Sequence, residues 1–207
     1  MADLVFTILS EIVLSSTAPY LCDFLERESK PRDVLVTARL QRDVASESFE
    51  GLSPKEEAAL KDADFGAAAR ALAQMDTVCS WRAKLGALLA CKDQIFEVLE
   101  ARNVASGTDC FLPVFMHVLA HAKLRAPLAA CTLLRQLCPP QMMKGEAGFF
   151  CTTFEAAANY IEMMAREDEE ADSSKEESRG GYNIVLQMCS AVLNTALEVG
   201  SFSTIAC

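Results

Sequence analysis

The chain lacks the features that would mark several large protein classes. Its nine cysteines (22, 79, 91, 110, 131, 138, 151, 189 and 207) include no CxxC pair, so no zinc-ribbon or thioredoxin-like spacing is present. The odd count, without a visible secretory signal, predicts free thiols in a reducing, intracellular compartment. The opening "MADLVFTILSEIVL" has an acidic start and a glutamate within its apolar run, which makes a poor signal peptide. No apolar run reaches the roughly 18 residues of a membrane span. Cys207 is the last residue, so it does not fit a prenylation box. Basic charge is in deficit: 19 Lys and Arg stand against 29 Asp and Glu, a net charge of −10. That balance argues against nucleic acid or an anionic membrane surface as general partners, because phosphates would go unneutralised. Period-two alternation and glycine-rich phosphate loops are missing, so neither a sheet nor a dinucleotide fold is expected.

What is present is helical. In 207 residues, about half of them apolar, periods near 3.6 recur from end to end and predict an all-α fold. The first helix is expected over 3–16, stopped near Pro19. A second covers Leu21 to Glu28 and ends before Pro31, and a third covers Val34 to Ala45. In "SPKEEAALK", Ser53 caps a helix, Pro54 suits its first position, and Glu56 and Glu57 complement the positive end of its dipole. Helices then follow over 65–76, 80–101, 109–123 and 127–138. Thr152 and Glu155 have capping-box spacing and predict a helix over 153–165. "REDEEADSSKEESRGG" (166–181) reads as an acidic linker or loop. "YNIVLQMCSAVLNTALEVG" returns to an amphipathic helix over 182–200, with Ile184, Val185, Met188, Val192 and Leu193 on related faces.

Few residues advertise chemistry. His117 and His121, the only histidines, are four apart on one helix, but no third ligand accompanies them and no metal site is predicted. Trp81, at a helix start, is expected to pack. Two segments are more pointed. In "GTDCFLPVFMHVLAHAK", Pro113 has no N–H for the carbonyl of Asp109, four residues back. The first turn is loosened there, and the Asp109 side chain can project outward; the competing reading is that Thr108 or Asp109 merely caps the helix. In "GEAGFFCTTFEAA", two glycines flank a turn, two phenylalanines follow, and Thr152 opens a helix.

Together these segments resemble the VPS-nine domain. Asp109, Leu112 and Pro113 match its D-x-x-L/I-P pattern. Gly145, Glu146, Gly148, Phe149, Phe150 and Thr152 match its G-E-x-G, aromatic pair and threonine. Lys84, Leu85 and Ile95 resemble its upstream helix. The resemblance covers roughly 65–165, leaving 1–64 as N-terminal helices packed on that core. It implies a layered helical bundle and guanine nucleotide exchange on a Rab-five-class small GTPase. Asp109 would act as an acidic finger in the nucleotide site, with Pro113, Phe149 and Thr152 touching the partner. No cofactor of its own is implied, since the GTPase carries GDP or GTP and magnesium. The setting implied is cytoplasmic, in endocytosis and vesicle trafficking, compatible with peripheral recruitment to early endosomes through other proteins. Phe149 departs from the tyrosine typical there. That substitution supports an alternative, a helical adaptor that binds a Rab GTPase without exchange.

Overall fold

The computed structural model describes residues 2–43, 49, 52–104 and 108–171. Within them the chain forms α1 (Ala2–Asp43), α2 (Pro54–Leu60), α3 (Gly66–Ala73), a 3-10 turn (Gln74–Thr77), α4 (Trp81–Ala101), α5 (Thr108–Ala122), α6 (Pro127–Leu137) and α7 (Glu146–Ala171). No strand occurs among the described residues, so the expected all-α layered bundle is what forms. No described helix is long and apolar enough to cross a membrane. The expected linker beyond residue 171 and the helix over 182–200 lie outside the described residues.

Between Cys110 and Leu119, His117 apart, α5 is apolar on all its sides. Phe111, Leu112, Val114, Phe115, Val118 and Leu119 are all buried. A helix of that kind must be covered on every side, and α5 is contacted by α3, α4, α7 and α1. α4 carries Leu85, Leu88, Cys91, Ile95 and Leu99 inward at helical spacing, and Ser80 caps it by accepting from the Ala83 amide at 3.1 Å. Trp81 is buried as packing. At α2 the capping box is complete: Ser53 Oγ accepts from the Glu56 amide, and Glu56 Oε2 accepts from the Ser53 amide at 3.0 Å.

α1 overturns the three short helices expected there. It runs unbroken through Pro19 and Pro31. Each proline removes the bond to the carbonyl four residues back, at Ser15 and Arg27. Both prolines are exposed, on the side where water can hydrate those carbonyls. The opposite side carries Ala18, Cys22, Leu25, Ser29, Asp33, Val36 and Leu40, one buried stripe at steps of three and four. That stripe packs on α6 and α7, and its burial outweighs two missing backbone bonds.

Asp33 shows how α1 also builds its neighbour. α6 begins with Ala126 at the capping position, whose methyl group offers no hydrogen-bond acceptor, and Pro127 follows. Asp33, 2% exposed, reaches across from α1 and accepts from the Leu128 amide at 2.7 Å. It thus does from another helix what a local cap does. Its second oxygen is buried without a hydrogen-bond partner among the described residues. Burial pushes this carboxyl up to about 6 from an ordinary 3.8, against the pull of the Leu128 and Ala129 amides. The folded chain therefore holds this proton more tightly than the unfolded chain. The resulting stabilisation is full below about pH 4 and is lost as pH rises through about 6. Asp33→Asn keeps an acceptor for Leu128 and carries no charge. Urea unfolding at pH 4 and pH 7 should show wild type losing on the order of 2–3 kcal/mol relative to this variant across that interval. A pH-independent difference would reject the assignment.

α7 starts and ends beyond its expected limits of 153 and 165. Its second half is held by α1. Glu162, buried, accepts from Arg32 Nε at 2.7 Å and from Arg166 Nη2 at 2.7 Å. The Arg32 contact leads the forces that hold this carboxyl below the usual range. Asp168 pairs with Arg39 at 2.9 Å and with Arg42 at 3.1 Å. The start of the expected linker, 166–171, is therefore helix, with Arg39 and Arg42 of α1 pairing with its Asp168.

Candidate functional site

The beginning of α7 is set by glycine chemistry, and Thr152 is not its cap. Gly145 has φ +90°, a region costly for other residues, and turns the chain into the helix. Gly148, in the first turn, lies so close to the preceding loop that a Cβ would stand 2.0 Å from the Met143 carbonyl oxygen. Between them Glu146 pairs with Lys92 of α4 at 2.8 Å. Thr152 falls in the second turn of α7, and its hydroxyl donates to the Gly148 carbonyl at 2.8 Å. Its oxygen keeps acceptor capacity for another group.

Phenylalanines tie this helix start to that of α5. Phe150 meets Phe111 of α5 edge-on at 5.1 Å and Phe96 of α4 at 6.1 Å; Phe96 meets Phe111 at 5.4 Å. One turn further, Phe115 meets Phe154 at 6.2 Å. Lys92 Nζ lies 5.6 Å from the Phe150 ring centroid, so its charge bridges the glutamate and the cluster. The pairs 111–150 and 115–154 ascend together, so α5 and α7 run parallel with both N-termini at one end. At that offset residue 109 is level with 148, and residue 113 with 152. Two positive dipole ends therefore share one end of the bundle.

The predicted site residues fall on this end in different ways. Asp109 stands in the first turn of α5, where a carboxylate is favoured by the dipole; its side chain lies outside the described residues. Pro113 is inside the helix and buried, so it shapes the turn from within. Phe149 is half-buried, edge-on to Phe150 at 4.9 Å. Thr152 is half-buried, three residues and nearly one turn further along α7.

Sequence reasoning missed Lys92 and Phe96, and named Glu146 only as part of a motif. The three hold α4 to α7, and only their pairing in space reveals it. Glu56 of α2 also reaches this end: Cys110 Sγ, next to Asp109, donates to Glu56 Oε1 at 3.0 Å. Bonds from Ser53 and then Cys110 hold the Glu56 carboxyl below its usual range. The described cysteines form no disulfide, and all but Cys79 are buried; burial raises Cys91 and Cys151 to about 12, which makes these two inert packing groups.

His117 is also packing, while His121 beside it is exposed. The His117 ring lies 4.7 Å from Phe49 and 5.9 Å from Phe65, and burial, then His121, lowers it to about 4. His121 Nδ1 is 2.8 Å from the His117 carbonyl oxygen. Among the described residues no group of three or more His, Cys, Asp or Glu is arranged to hold a metal ion.

Residues 65–166 match the family model described as the Vacuolar sorting protein 9 (VPS9) domain. No curated protein matches the chain.

Proposed function

Since residues 65–166 belong to the VPS9 domain family, whose members are exchange factors for Rab GTPases, we propose that this chain accelerates GDP release from a Rab-five-class GTPase through Asp109. The finger would offer the GTPase's P-loop lysine an alternative partner and repel the β-phosphate and displace its magnesium. Nucleotide is held by charge-assisted contacts and a metal bridge, so a competing carboxylate weakens that hold without covalent chemistry. By linkage, nucleotide weakens the bound exchange factor equally. Phe149 and Thr152 would meet the GTPase directly. Pro113, being buried, would act by shaping the turn that carries Asp109. Early endosomes are the expected site of action, reached through other proteins.

The observation that supports this reading is the parallel packing of α5 and α7. It brings the Asp109–Pro113 turn and the Phe149–Thr152 turn to the same end, where one small protein can touch both. Release of fluorescent GDP from a panel of Rab GTPases tests it. The adaptor reading rests on Phe149 in place of tyrosine. Stable binding to nucleotide-free GTPase without faster release would decide for the adaptor.

Phe149→Tyr restores a hydroxyl at a half-buried ring whose outer edge can face a partner. A neutral hydrogen bond is worth about 0.5–1.5 kcal/mol, so kcat/KM for exchange should rise roughly two- to tenfold. A marked fall in a folded variant would reject Phe149 as a contact.

A further inference from the structure

The outward side of α1 carries a second stripe, opposite the one that packs on α6 and α7. Val13, Thr17, Tyr20, Phe24, Arg27, Pro31 and Val34 follow one another at steps of four and three. That is the seam spacing of helices that pack side by side. All are exposed, and the large apolar members are strongly so: Val13 59%, Tyr20 78%, Phe24 57% and Val34 55%. Single exposed apolar residues are ordinary, but an aligned row of them marks an interaction face.

We propose that this stripe is the docking face for residues 182–200 of the same chain, which lie along it as an antiparallel helix. The point where the described chain ends supports this occupant. Arg32 pairs with Glu162, and Arg39 with Asp168, so α7 runs parallel to α1. Arg42 also holds Asp168. α7 therefore reaches Ala171 beside the last turn of α1. Residues 172–181 are polar. Ten such residues span at most about 33 Å and typically about 17 Å. That suffices to pass around a helix about 10 Å across.

Residues 182–200 suit the face they would reach. Val185, Met188, Val192 and Val199 have the same spacing of threes, fours and their sum, and Glu198 is the only charged residue in the segment. As a helix the segment would be about 28 Å long, against about 32 Å from Val34 back to Val13. A short linker also gives it an effective concentration in the millimolar range, which disfavours a second copy of the chain at micromolar concentration.

Hydrogen exchange on the full chain tests this. In wild type, amides of 184–199 should exchange roughly a hundredfold or more slower than in an unstructured chain. Phe24→Glu should lower that protection at least tenfold while leaving α4, α5 and α6 unchanged, and the reciprocal Val192→Asp should do the same. Fast exchange of 184–199 in wild type would overturn the proposal, as would protection that survives Phe24→Glu. Protection that grows with protein concentration, together with a dimer's mass, would also overturn it and assign the stripe to a second copy.

Discussion

Asp109→Ala should slow the proposed acceleration of GDP release by roughly tenfold to 150-fold and leave the helical content intact. The range follows from one or more charge-assisted hydrogen bonds, at about 1.5–3 kcal/mol each; lost repulsion of phosphate adds to it. The fold should lose little. Asp109 sits in the first turn of α5, where removing a carboxylate from the dipole costs about 0.3–1 kcal/mol. The load-carrying packing of α5 begins at Cys110 and Phe111 and continues to Leu119. Stopped-flow release of fluorescent GDP, with circular dichroism on the same sample, separates the two effects. Loss of the helical signal in parallel with activity would make Asp109 a cap and nothing more.

Gly148→Ala should strike both fold and activity. The atoms a new Cβ would meet are Met143 backbone: oxygen at 2.0 Å, carbonyl carbon at 2.5 Å and Cα at 2.9 Å. No flexible side chain can swing aside, so the loop or the start of α7 must move. Overpacking of this kind costs about 1–3 kcal/mol. The displaced turn carries Phe149 and Thr152, and Phe150 behind it is seated on Phe96 and Phe111. Exchange should therefore fall more than stability alone requires at a temperature where the variant is fully folded. Gly145→Ala makes the contrast. Its φ is +90° but nothing lies within 4 Å of an added Cβ, so only the backbone conformation is strained, at about 1–2 kcal/mol, and the helix start stays where it is. Urea unfolding and GDP release on both variants check this; full activity in folded Gly148→Ala would contradict the geometry proposed for the α7 turn.

Local signals were legible in the sequence, and tertiary ones were not. Ser53, Pro54 and Glu56 announce α2 within four residues, and the bonds they imply are the bonds that form. α4, α5 and α6 likewise lie where periodicity and punctuation put them. α1 departs from the three helices expected because Pro19 and Pro31 are strong stops only locally. Only the buried stripe from Ala18 to Leu40, facing helices more than eighty residues away, outweighs them. α7 departs from its expected bounds at both ends because tertiary contacts set them. Thr152 and Glu155 imitate a capping box, yet Thr152 bonds back into the helix. The true start depends on how closely Gly148 approaches Met143. The true extension past 165 depends on Arg39 and Arg42. Within the candidate site, the two motifs could be named from sequence. Their common level could not, because it is fixed by the Phe111–Phe150 and Phe115–Phe154 contacts across about forty residues of chain.

A negative charge at residue 109 is proposed to eject nucleotide. The most direct measurement compares wild type with Asp109→Asn, which preserves shape and removes only the charge, in fluorescent-GDP release from a Rab-five-class GTPase. Wild type should accelerate release strongly and the asparagine variant should fall to near the intrinsic rate while still binding the nucleotide-free GTPase. Equal acceleration by both proteins would contradict the claim.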